Sequence, residues 1–168
     1  MLNIWPGFVA AQTVLESLAS GARALLGDLY KSLPLPLAAA TLVICSIACG
    51  TMFGLERRKR DKPAGRRTMA LICVGSTIFT LASILIVGDS VADRGRIAAQ
   101  VVTGVGFLGA GAIIREGTTV IGLTTGATIW TAAAIGVLIG AGYAAGGAAL
   151  TLLVLGTLIL LRHHQEEN

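Results

Sequence analysis

Apolar residues fill five runs, Leu35 to Leu55, Met69 to Gly88, Ile97 to Ile114, Val120 to Gly140 and Tyr143 to Leu161, separated by short polar links. A helix of about 20 residues crosses a hydrocarbon core, so these runs predict five membrane spans. The third and fifth are short, and Arg96, Arg115 and Arg162 extend them by reaching toward the interface. Ahead of the runs, Val14, Leu15, Leu18, Ala22, Leu25, Leu26 and Leu29 recur at helical spacing among Glu16, Arg23, Asp28 and Lys31. That pattern predicts an amphipathic helix at the membrane interface, with Trp5 and Tyr30 at headgroup level, rather than a signal peptide or a sixth span. The expected organisation is an interfacial helix over 1–34, one transmembrane domain over 35–161 and a polar tail over 162–168. The fold class is all-α, a polytopic helical membrane protein.

The chain is organised around Arg96 to Trp130, two glycine-rich apolar runs flanking the charged pair Arg115 and Glu116. In water Gly104, Gly106, Gly109 and Gly111 would each cost about 1 kcal/mol against alanine in a helix, and no strand alternation replaces the helical pattern. In a bilayer small residues let helices approach closely and gain dispersion contact. The stretch Ile97 to Gly140 is therefore read as a close-packed pair of spans, with Gly104, Gly106, Gly109, Gly111, Gly122 and Gly126 as packing positions. GxxxG recurs at Gly50/Gly54, Gly122/Gly126, Gly136/Gly140 and Gly142/Gly146, which chance alone readily supplies in a chain with 22 glycines. The pairs indicate close helix packing first and self-association second, with a dimer favoured.

Composition agrees with the spans: 54% of residues are hydrophobic and 13% charged, against about 25% charged in ordinary soluble domains. The net charge of +4 is not a nucleic-acid signature, because seven of the thirteen basic residues lie between Arg57 and Arg67, at the edge of an apolar run. Positive charge there sets orientation. The link GLERRKRDKPAGRRT is far more basic than GDSVADRGR, which places the 56–68 loop and the carboxy terminus in the cytoplasm and the amino terminus outside. Cys45, Cys49 and Cys73 lie within apolar runs and suggest packing rather than a disulfide framework or a metal centre. His163 and His164 belong to the polar tail.

Enzymatic signatures are absent: there is no HExxH, GxSxG or GxxxxGK[ST], and GVGFLGAG lies in an apolar run without a βαβ context. No catalytic residue and no organic cofactor are expected. Glu56, beside Arg57, is either a boundary salt bridge or part of a latch between the basic loop and the helix ends. The surplus charge of Lys62, Arg66 and Arg67 suits anionic head groups or an acidic partner. Asp89, Asp93 and Arg96 form a solvated loop or a loose site for Mg2+, the one candidate ion, with Asp89 and Asp93 as its ligands. Gln100, Thr103, Gly104, Phe107 and Gly111 share one face of the third span, and Thr124, Thr128 and Thr131 one face of the fourth. Packed together they would form interhelical glue or a polar path. No span carries a charged residue near its middle, which argues against transport.

The ordered motifs GLERR at 54–58, KPAGRRT at 62–68, RIAAQVVTGVGFLGAGAIIREG at 96–117 and GLTTGATIWTAAAIGVLIGAG at 122–142 resemble the membrane domain of the MgtC/SapB family. The resemblance implies a bacterial inner-membrane protein of about five spans, associated with low magnesium, acid stress and intracellular survival. It further implies a non-enzymatic modulator of a membrane partner such as the ATP synthase or a transport ATPase; the alternative is a magnesium transporter or channel. By position the family's polar signature falls on Glu56, Arg57, Lys62, Gly65, Arg67, Thr68, Asp93, Arg96, Gln100, Arg115, Thr124, Thr125 and Trp130. Two positions depart from the pattern: Arg66 stands where leucine is usual and Gly126 where alanine is usual. The chain is also expected to lack the soluble carboxy-terminal domain of the longer members.

Overall fold

The computed structural model describes residues 33–87 and 91–163. Residues 1–32 of the amphipathic helix expected over 1–34, Asp89 and the tail beyond His163 lie outside the described residues. Within them the chain forms five helices, α1 (Leu35–Arg58), α2 (Arg66–Val87), α3 (Val91–Gly111), α4 (Leu123–Gly140) and α5 (Ala144–His163). Pro34 is extended at φ −54° and ψ 139°, and Pro36 occupies the first turn of α1, where no amide donor is needed. At the far end of α4, Gly142 takes φ 101°, Gly142 N–H donates to Ile139 O and Tyr143 N–H donates to Leu138 O. This pair of bonds around a left-handed glycine ends the helix and reverses the chain within three residues.

Four of these helices, α1, α2, α4 and α5, are long and apolar enough to cross a membrane. The apolar part of α3 is confined to Ala99–Gly111, about 20 Å of helix at 1.5 Å per residue. Outward-facing Leu37, Ile44, Leu71, Ile86, Leu152 and Leu160 are exposed, as a lipid-facing surface requires. α4 touches all four other helices, α2 packs against α1, α3 and α4, and α3 and α5 flank the assembly. The core consists of Leu42, Cys49, Phe53, Met69, Cys73, Ile129, Ala132, Ile135 and Ile139.

Glycine sets the central spacing. A Cβ on Gly54 would lie 2.3 Å from Arg66 Cα, and one on Gly136 would lie 2.3 Å from Cys73 O, so α1 and α4 both run backbone-close against α2. The contact between α3 and α4 rests on Gly109 and Gly126, where a Cβ on Gly126 would meet Gly109 O at 3.0 Å. Gly104, Gly106 and Gly111, expected as packing positions, have nothing within 4 Å of an added Cβ. They lie off the narrow stripe Val101, Val105 and Gly109 that α3 buries.

The link expected between the third and fourth spans is a β-hairpin, which takes Ile114 from the end of one apolar run and Val120 and Ile121 from the start of the next. β1 (Ile114–Glu116) and β2 (Thr119–Ile121) pair antiparallel, with Ile114 opposite Ile121, Arg115 opposite Val120 and Glu116 opposite Thr119. Gly117 turns the hairpin at φ 61°, and Arg115 Nε donates to Gly117 O at 3.0 Å. The signal was local: Ile114-Arg115-Glu116-Gly117 and Thr119-Val120-Ile121 are short β-prone segments around a turn glycine, too brief to register beside two long apolar runs. Gly122 closes the hairpin onto α4 at φ 91°, where a Cβ would fall 1.9 Å from Ala112 O. Only glycine fits there.

Candidate functional site

The basic link between α1 and α2 is held in one shape by its backbone. Asp61 is left-handed at φ 50°, Asp61 N–H donates to Arg58 O, and Lys62 N–H donates to Arg57 O. These bonds fold residues 59–65 over the end of α1 and bring Lys62 back beside Arg57. Beneath them Glu56 accepts from Arg57 Nε and also pairs with Arg60. Glu56 is 8% exposed and Arg57 2%, so this is a buried ion-pair cluster rather than a pair in solvent. Charges removed from water need near-complete pairing, and Arg57 Nη1 is buried with no hydrogen-bond partner.

Arg57 and Arg60 of this cluster line a cleft of about 640 Å³ at the basic end of the bundle, with Glu56 behind them. Arg57, Lys59, Arg60, Asp61 and Lys62 contribute from the link, Thr124 from the first turn of α4, and Thr157, Leu158 and Leu161 from α5. Four cations thus face a single carboxylate. The N-terminus of α4 is capped by Gly122 without a side-chain hydrogen bond.

A second concavity, of about 590 Å³, opens sideways between α2 and α3. Its walls include Arg67, Thr68, Ser76 and Phe79 from α2 and Gln100 and Val105 from α3, and Gly75 and Gly104 leave it open. Neither glycine has anything within 4 Å of an added Cβ. The groove extends from Arg67 to Phe79 along α2, about 18 Å at 1.5 Å per residue.

The structure therefore gathers the sequence-selected residues into two groups: Arg57, Lys62 and Thr124 at the cleft, with Glu56 behind them paired to Arg57, and Arg67, Thr68, Gln100 and Gly104 at the groove. The others stand apart. Gly65 lies in the link, Arg115 on the hairpin, and Trp130 is exposed on α4. Asp93 and Arg96 belong to the first turns of α3, so the polar cluster expected as a loop is partly helical. Among the described residues no group of three or more His, Cys, Asp or Glu side chains is placed to hold a metal ion.

The two polar faces expected to pack together do not meet. Gln100, Thr103, Gly104, Phe107 and Gly111 are exposed, with Phe107 at 82%, because α3 turns Val101, Val105 and Gly109 inward. The threonines of α4 bond to their own helix, Thr128 Oγ1 to Thr124 O at 2.7 Å and Thr131 Oγ1 to Ala127 O at 2.8 Å. Thr125 is buried, and its Oγ1 has no hydrogen-bond partner.

Sequence reasoning passed over Arg60 and Thr77. Arg60 was accessible from its spacing of four from Glu56, across the end of α1. Thr77, whose hydroxyl reaches Gly136 O on α4, has no such local signal because its partner is 59 residues away.

A family model described as "MgtC family" matches residues 43–167. Protein MgtC of Salmonella typhimurium strain LT2 is 47% identical over 120 residues, which cover 71% of this chain and 51% of that relative. Protein MgtC of Brucella abortus strain 2308 is 47% identical over 113 residues, covering 67% of this chain and 47% of that relative. The chain thus spans about half the length of the curated relatives it matches. No solved structure matches it. With the match extending from within α1 through the whole helical assembly, the chain belongs to the MgtC family.

Proposed function

We propose that this membrane protein is a non-enzymatic modulator, acting by lateral contact between its α2–α3 groove and a helix of another membrane protein during adaptation to low magnesium or acid stress. The carrying observation is Gln100, an exposed amide about midway along α3, at the wall of a groove that Gly75 and Gly104 leave unfilled. A polar side chain facing lipid is costly, whereas one facing another helix gains a hydrogen bond of about 1 kcal/mol. The family resemblance names the ATP synthase or a transport ATPase as partner classes. The protein sits in the bacterial inner membrane with the 56–68 loop cytoplasmic, because that link carries most of the basic charge.

Filling the groove tests this reading. Gly75→Leu and Gly104→Leu enter space that is open within the chain. They are expected to leave thermal unfolding in detergent unchanged while abolishing co-purification of a membrane partner and growth under magnesium limitation. Normal growth and partner recovery with the groove filled by either leucine would remove the reading. Magnesium flux into sealed proteoliposomes, lost in Asp93→Asn, would replace it with a divalent-cation transporter.

A further inference from the structure

We infer that the cleft at the basic end is a binding site for a phosphate-bearing group. The first argument is the orphaned donor: Arg57 lines the cleft, its side chain is 3% exposed, and its Nη1 has no hydrogen-bond partner. A buried guanidinium left one bond short is destabilising, and an anion entering the cleft is the group that relieves it.

The second argument is charge. Arg57, Lys59, Arg60 and Lys62 line the cleft, and Asp61 together with Glu56 behind it neutralises only two of the four. A surplus of two matches a phosphate group of charge between about −1 and −2.

The third is the helix end. Thr124 brings the first turn of α4 to the same cleft, and Gly122 leaves that N-terminus without a side-chain cap. Helix N-termini favour anions through their dipole and free amide donors. Guanidinium, ammonium, hydroxyl and helix N-terminus converging on one cavity constitute phosphate chemistry. The apolar side, Leu158 and Leu161, can take the glycerol or acyl portion of a lipid, so the phosphate can come from a membrane head group or from solution.

The experiment uses the full chain in neutral detergent. In one arm thermal unfolding and native mass spectrometry are followed as phosphatidylglycerol or phosphatidylcholine is added. In the other, inorganic phosphate is compared with chloride at equal ionic strength. Lys62→Gln and Thr124→Val alter the cleft, whereas Arg58→Gln removes one equal charge from an exposed residue outside it. The expected result is stabilisation by phosphatidylglycerol, by phosphate, or by both, weakened about tenfold in Lys62→Gln and nearly unchanged in Arg58→Gln. Response to the lipid alone identifies a head-group site, and response to phosphate alone a soluble ligand. Stabilisation by neither, or an equal loss in Arg58→Gln, overturns the inference, the latter because diffuse attraction to the basic link would then suffice.

Discussion

The hydroxyl of Thr77 on α2 lies 2.9 Å from the carbonyl oxygen of Gly136 on α4 and 3.0 Å from Cys73 O on its own helix. One proton serves two acceptors, so the bond between helices competes with ordinary back-bonding within one. Thr77 is fully buried, so the hydroxyl has no access to water. Thr77→Val is expected to cost about 0.6–1.7 kcal/mol in reversible unfolding in bicelles, and Thr77→Ser to recover most of it. Equal stability of Thr77→Val and the parent would show that neither bond of this hydroxyl adds net stability.

At Gly136 the same helix pair makes a steric prediction. An added methyl would lie 2.3 Å from Cys73 O and 2.8 Å from Ser76 Cβ, both rigidly attached to α2. Gly136→Ala should therefore push α2 from α4 and destabilise by about 1–3 kcal/mol, whereas Gly106→Ala, with nothing within 4 Å, should be neutral or slightly stabilising. Thermal unfolding of the two variants side by side checks the contrast.

Glu56 holds Arg57 and Arg60 at the end of α1. Removing the carboxylate in Glu56→Ala leaves Arg57 buried without its counter-charge, a loss of about 3–5 kcal/mol. Arg58→Ala, at an exposed neighbour, should shift stability by less than about 0.5 kcal/mol. Denaturant titration in detergent reports both, and a small effect of Glu56→Ala would mean that Arg57 escapes to solvent when unpaired.

Gly122 combines a φ of 91° with an approach of 1.9 Å between its would-be Cβ and Ala112 O. Gly122→Ala should open the base of the β1–β2 hairpin and fray the first turn of α4, seen as faster amide hydrogen exchange over 112–125 with α1 and α2 unaffected. Unchanged protection there would show that the hairpin is not anchored through this residue.

Much of the fold was legible because a hydrocarbon core imposes a length and forbids charge. The spans at α1, α2, α4 and α5 lie within a few residues of the apolar runs, and the basic link fell where Arg57 to Arg67 crowd together. The family resemblance was equally local, since it rests on ordered motifs. The hairpin was missed because three-residue strands carry too little pattern to compete with the apolar runs on either side.

Sequence by itself determined that this chain lives in a membrane as a bundle of helices, because hydrophobicity and chain length are summed along the chain and need no partner. Tertiary structure alone decided which face of each helix turns inward. Glycine at 104 and glycine at 136 read alike as letters, yet one borders an open groove and the other lies against Cys73 O. The same holds for charge: burial of Arg57 at 2% exposure follows from the fold-back of the link and the approach of α4 and α5. Those relations depend on which helices become neighbours, a quantity that no single segment carries.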